Sequence, residues 1–228
     1  MLSPIEYPPR LDLARIPTPL QFLSRASDKW GTGKRLWMKR DDLTGATLTG
    51  NKIRKLEFIA AHALERGFQT LVTCGGVQSN HCRATALVAA QLGLDCHLVL
   101  RADGEPEQNT GNFLLDQLAG ATFEILPAKK WATHLKALYA RLESEFAGAG
   151  RPALMIPTGG SDSLGVWGYI AATEELRGDL NEHGIQRAAL TLATGSAGTQ
   201  TGLTAGVAMF DLPLDVVAYA VCDDADWF

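Results

Sequence analysis

Three short stretches carry residue types that could do chemistry together. The first is Thr49-Gly50-Asn51-Lys52, which opens the run N-K-I-R-K-L-E-F-I-A-A-H-A-L-E-R. At about 100° per residue, Ile53, Leu56, Ile59, Ala60 and Ala63 share one stripe, with Lys52 inside it. Burial there depresses the amine pKa and makes Lys52 a usable nucleophile. The plainer reading is a helix-start lysine laying its stem along apolar surface.

The second stretch is Gly75-Gly76-Val77-Gln78-Ser79-Asn80-His81, between a strand-like T-L-V-T-C and a helical run. Its glycines allow a tight turn, and Ser79 or Asn80 can cap the helix. Free N–H groups at such a helix start also hold an anion such as a carboxylate. The alternative is capping alone, with His81 an ordinary side chain. The third stretch is Gly195-Ser196-Ala197-Gly198-Thr199, after the strand-like A-L-T-L-A-T. Small residues in succession bring backbone amides against a phosphate, and the helix dipole adds to the attraction. The competing reading is a packing loop. It is neither a Walker A loop, lacking G-K-[ST], nor a dinucleotide G-x-G-x-x-G.

These stretches need rigid elements to bring them together, and the rest of the chain supplies them. Short apolar runs at 35–39, 70–74, 96–100, 123–126, 153–156, 188–193 and 214–221 read as strands. Helical patterns at 51–66, 79–92, 109–118, 130–146, 164–177 and 199–209 alternate with them. Strands this apolar, separated by helices, predict an α/β fold with parallel sheet covered on both faces. In open α/β sheets ligands bind beyond the carboxyl ends of strands, where all three stretches fall. Residues 145–152 (E-F-A-G-A-G-R-P) form the softest point and the expected domain boundary. The last strand has no closing helix, so the chain is expected to be incomplete at its C-terminus, with apolar sheet surface uncovered.

Composition narrows the function. The chain has 228 residues, 46% of them hydrophobic, 20% charged, and a net charge of −4, which fits an ordinary globular protein. An acidic balance leaves no basic face for nucleic acid. No run approaches the roughly 18 apolar residues of a membrane span, and the N-terminus does not read as a secretory signal. Cys74, Cys82, Cys96 and Cys222 form no C-x-x-C pair. Free thiols in a reducing cytoplasm are the expected state, with no metal site.

Taken together, the motifs are far more specific than any one of them. P-T-P-L (17–20), K-R-D-D-L-T (39–44), G-N-K-I-R-K-L-E-F (50–58), G-G-V-Q-S-N-H-C-R (75–83), T-G-G-S (158–161), A-T-G-S-A-G-T (193–199) and V-C-D-D (221–224) follow one another along the chain. In this order they resemble the pyridoxal-phosphate enzymes of the tryptophan-synthase-β fold type. The match is to the D-cysteine desulfhydrase and 1-aminocyclopropane-1-carboxylate deaminase group.

That resemblance implies two three-layer α/β domains: residues 49–156 as a small domain, and 1–48 with 157–228 as an incomplete large cofactor domain. It implies that Lys52 binds pyridoxal 5'-phosphate covalently and that Lys55 is a phosphate-side contact. Ser79 matches the serine near the substrate carboxylate, with a proton-transfer role. Asn80 matches the residue bonded to the cofactor's ring hydroxyl, and Gly195, Ser196, Ala197, Gly198 and Thr199 match the phosphate cradle. The implied reaction is β-elimination on a small D-amino acid, D-cysteine giving pyruvate, ammonia and hydrogen sulfide. Deaminases of the group carry S-N-Q where this chain has Ser79-Asn80-His81, which tilts the reading to the desulfhydrase, with an imidazole that titrates near neutral pH beside the substrate. 1-Aminocyclopropane-1-carboxylate deaminase and L-cysteate sulfo-lyase are the alternatives within the group. The full-length protein is expected to be a cytoplasmic homodimer. Members of the group continue past V-C-D-D, so the partner of the pyridine nitrogen is expected beyond Phe228. Two rival readings are an inactive, truncated cofactor-binding fragment and a nucleotide-binding protein without lysine chemistry.

Overall fold

The computed structural model describes residues 5–222. At its centre is a four-stranded sheet in the order β5-β4-β3-β6. Its strands are β3 (Thr70–Gly76), β4 (Asp95–Arg101), β5 (Thr122–Leu126) and β6 (Ala153–Met155). Every pairing is parallel, with Leu71 opposite Cys96 and Leu154, and Leu98 opposite Phe123. The side-chain period of two sends Leu71, Leu98 and Leu100 to one face and Val72, Cys74 and Val99 to the other. Three helices cover the first face: α2 (Asn51–Glu65), α3 (Asn80–Leu92) and α4 (Gly111–Leu118). The second is covered by α5 (Trp131–Gly148) through Leu138 and Leu142. Apolar runs between helices have thus produced the double-covered parallel sheet that they predict.

A separate parallel pair joins β7 (Ala188–Thr194) to β8 (Leu214–Ala220). It packs on α6 (Trp167–Glu182) and α7 (Gly198–Met209), around Tyr169, Leu176, Leu180, Leu203 and Leu214. Its other side is open: Val217 is 40% and Tyr219 62% exposed. Near the N-terminus, β1 (Leu20–Phe22) and β2 (Trp37–Lys39) pair antiparallel around α1 (Ser24–Trp30).

Two expectations need correcting. Residues 145–152 do not separate two sheets, because they only turn from the end of α5 into β6, the neighbour of β3. Nor does α2 carry a single apolar stripe. It is buried all round from Ile53 to Ala61, with Arg54, Lys55 and Glu57 inside. The charges of Arg54 and Glu57 are matched within the protein, as buried charges must be. Arg54 donates to Asp41, Glu175 and Thr18, tying α2 to α6 and the N-terminal segment. Glu57 accepts from Arg10 and from the N–H groups of Leu13 and Ala14. Among the described residues, no helix is long and apolar enough to cross a membrane.

Candidate active site

Lys52 stands in the first turn of α2, and its Nζ donates to Asn51 Oδ1 at 3.1 Å. Asn51 in turn donates through Nδ2 to Thr199 Oγ1 at 3.4 Å, which links the start of α2 to the start of α7. Burial lowers the Lys52 pKa, opposed by the nearby Cys222. That moves the balance towards the neutral amine, the nucleophilic form.

One turn further on, Lys55 is only 1% exposed. Its Nζ donates to the Gly159 carbonyl at 3.1 Å and to Ser161 Oγ at 3.3 Å. Burial first, and the charge of Lys52 second, push its pKa down to about 7. Ser161 Oγ meets Ser196 Oγ at 2.8 Å and accepts from the Gly198 N–H at 3.2 Å. Two lysines, two serines and the head of α7 therefore converge. Motif spacing names T-G-G-S at 158–161 but assigns it no role. Ser161 and Gly159 are the residues that reasoning from sequence gave no role, and the available signal was a glycine pair just past a strand's carboxyl end.

The loop 195–199 is shaped for close approach. Ala197 adopts φ 59° to start α7, and Gly198 follows with no room for a side chain. A Cβ there would run into Ser161 and lie 2.7 Å from Lys55 Nζ. A cavity of about 360 Å³ opens beside it, lined by Ser161, Asp162, Ser196, Ala197, Gly198 and Thr201. The Asp162 carboxylate is engaged by the N–H groups of Leu164 and Gly165. Hydroxyls, a buried amine and the positive end of a helix form a donor set for a phosphate, and Lys52 supplies an amine to hold an aldehyde beside it. The residues fit pyridoxal phosphate.

On the neighbouring loop, Ser79 caps α3, its Oγ accepting the N–H groups of His81 and Cys82 at 3.2 Å each. Asn80 is exposed, and its Oδ1 accepts from Asn112 Nδ2 at 2.9 Å. His81 departs from expectation. Its side chain lies in the core at 3% exposure, with Nε2 at 2.8 Å from Thr73 Oγ1. Burial, then Lys52 and Lys55, push its pKa down to about 3. The imidazole is neutral near physiological pH and does not titrate there, so its side chain is no guide to the substrate. Cys222, of the V-C-D-D motif, lies close against Gly195, while Asp223 and Asp224 fall outside the described residues.

The family model described as pyridoxal-phosphate dependent enzyme matches residues 11–224 of the chain. The chain belongs to the pyridoxal-phosphate-dependent enzymes. Within that family it is 39% identical over 229 residues to the mitochondrial bifunctional D-cysteine desulfhydrase/1-aminocyclopropane-1-carboxylate deaminase of Arabidopsis thaliana, covering 95% of this chain and 55% of that protein. The D-cysteine desulfhydrase of Klebsiella pneumoniae strain 342 is 41% identical over 204 residues, 87% of this chain and 60% of that one. A crystal structure described as an ACC deaminase homologue superposes with a TM-score of 0.82 at 35% identity, covering 92% of this chain and 63% of the other. The pyridoxal-phosphate fold expected from the motifs is thus established, and its cofactor with it. The chain spans 55–63% of the length of these relatives.

Proposed function

We propose that this chain holds the cofactor and substrate-carboxylate sites of a lyase converting D-cysteine and water to pyruvate, ammonia and hydrogen sulfide. The observation that carries the reading is the cluster at the head of α7, where Lys55 meets Gly159 and Ser161, Ser161 meets Ser196 and Gly198, and Lys52 is tied through Asn51 to Thr199. Lys52 would hold the cofactor, with loop 195–199, Ser161 and Lys55 around its phosphate. Bound pyridoxal phosphate supplies an electron sink for negative charge at the substrate's α-carbon.

The chain's own residues supply the rest. Lys52 Nζ, whose pKa burial lowers, takes the proton from the α-carbon. The turn at Ser79 presents the head of α3 to the substrate carboxylate. Ser79 Oγ stands beside that carboxylate, positioned to pass a proton, and Asn80 meets the ring hydroxyl. A division into a small domain, 49–156, and a larger one from the flanking segments belongs to the same reading. So does a cytoplasmic homodimer for the full-length protein, which sedimentation would check.

The Klebsiella relative supports thiol elimination, while the Arabidopsis relative, which carries both names, and the structure described as an ACC deaminase homologue support ring opening of the cyclopropane substrate as the second reading. Comparing kcat/KM for D-cysteine, L-cysteate and 1-aminocyclopropane-1-carboxylate on the full-length protein separates them, since specificity is a ratio of those values. Hydrogen sulfide release from D-cysteine should dominate. Dominant 2-oxobutanoate from the cyclopropane substrate would overturn the choice.

A further inference from the structure

A small polar network on α4 reaches the Ser79-Asn80 loop, and no role falls to it in the reaction above. Asn112, in the first turn of α4, donates through Nδ2 to the Gln78 carbonyl at 2.9 Å and to Asn80 Oδ1 at 2.9 Å. Its own N–H donates to Gln78 Oε1 at 2.7 Å, and Gln78 Nε2 points back to the Thr110 carbonyl at 3.4 Å.

Backbone groups fix the orientation of every amide in this network. A backbone carbonyl only accepts, so the Asn112 atom on Gln78 O must be the nitrogen. The second hydrogen of that nitrogen meets Asn80, whose facing atom must therefore be the oxygen. A backbone N–H only donates, so Gln78 turns its oxygen to Asn112 N. Gly111 permits the approach: its φ is +51°, and a Cβ there would strike Gln78 Oε1.

With Oδ1 taken, the end of the Asn80 amide left to meet a ligand is the Nδ2 donor. We propose that Asn112 is a positioning residue that turns the Asn80 carboxamide donor-end first towards the cofactor's ring oxygen. The proposal rests on the reading that Asn80 meets that ring. A donor there stabilises the ring oxygen as an anion, whereas an acceptor opposes it.

Asn112→Asp tests this: an acidic residue suits the first turn of a helix, which partly offsets the bond to the Gln78 carbonyl that the carboxylate loses. Its carboxylate only accepts, so Asn80 must turn Nδ2 inward and present Oδ1 to the ring. In the chain reconstituted with pyridoxal phosphate, the pH midpoint of the cofactor's visible absorbance should move by about one unit or more. Cofactor affinity should fall severalfold. Asn112→Ala, which frees the amide, should give a smaller shift in the same direction. Phe113→Leu alters a buried neighbour on α4 without touching the network, and should lower the melting temperature while leaving the midpoint in place. Asn80→Ala separates the two ideas. If it leaves the spectrum unchanged, or if the wild-type chain gives no visible band with the cofactor, the reading beneath the proposal fails. If Asn80→Ala shifts the midpoint and Asn112→Asp does not, Asn112 does not position Asn80. A Phe113→Leu shift as large as that of Asn112→Asp would reduce Asn112 to a structural role.

Discussion

The two parallel sheets of this chain use similar strands and end in different surroundings. β3 is buried from Thr70 to Gly75, with helices on both faces. β8 has its α6–α7 side covered, while Val217 and Tyr219 on it stand largely exposed. The lysine side of the site therefore stands on a finished core, and the phosphate loop stands on a sheet supported from one side. What joins them is α2, whose buried polar residues reach across: Arg54 to Glu175 on α6, Lys55 to Ser161, and Asn51 to Thr199 on α7. The difference suggests that the phosphate loop owes its position as much to α2 as to its own sheet.

Cutting that link should have the largest effect. Arg54→Ala leaves Asp41 without its cation and Glu175 with Lys39 alone, and removing one partner of a buried pair costs about 3–5 kcal/mol. Urea melts should show a loss of this size. A loss under about 1 kcal/mol would mean that the two regions are held together by something else.

A pH series on the cofactor-free chain isolates Lys55. Its folded pKa of about 7 lies below the ordinary 10.5, so between those values the unfolded chain holds a proton that the folded chain has released. Stability should therefore rise with pH across that window, by up to about 1.4 kcal/mol per unit for one proton, and flatten below it. Lys52 adds in the same direction, its pKa being lowered too. Lys55→Met should remove about one proton's worth of the slope, and an unchanged slope would contradict the burial argument.

Gly198→Val probes the phosphate loop directly. Crowding the Ser161–Lys55–Gly198 contact should weaken pyridoxal phosphate at least about tenfold, or ~1.4 kcal/mol, in a protein that still folds but melts at a lower temperature. Fluorescence titration would show it, and an unchanged affinity would clear the loop of the role.

The smallest effect is expected on the open face. Val217→Thr on β8 should change stability by less than about 0.5 kcal/mol. The same swap at the fully buried Val99 of β4 buries a hydroxyl and should cost about 1–3 kcal/mol. Equal costs would show that β8 is covered in solution, by self-association for instance, which light scattering would detect.

Much of this was legible in the sequence, for identifiable reasons. The strands of the four-stranded sheet, of β7–β8, and the helices from α2 onward announce themselves by apolar period and by Gly or Pro at their ends. β2 falls within the strand expected at 35–39, whereas β1 and α1 do not announce themselves: β1 has three residues, and α1 (S-R-A-S-D-K-W) buries nothing, so no hydrophobic pattern marks it. In the site, Lys52, Lys55 and the 195–199 loop were visible as motif residues near strand ends. Ser161 and Asn112 were not, because their partners lie 35 and 32 residues away in the chain. His81 misled because a histidine next to a helix cap looks solvent-facing, whereas the turn of α3 carries it onto Thr73 beneath the sheet's end.

The central claim is that Lys52, not the more deeply buried Lys55 one turn away, holds the cofactor. Reducing the pyridoxal-phosphate-loaded chain with borohydride fixes the label on whichever amine carries it, and peptide mapping by mass spectrometry then reads the position. The label should sit on Lys52 and vanish in Lys52→Ala. A label on Lys55, or one that survives Lys52→Ala, would contradict the account.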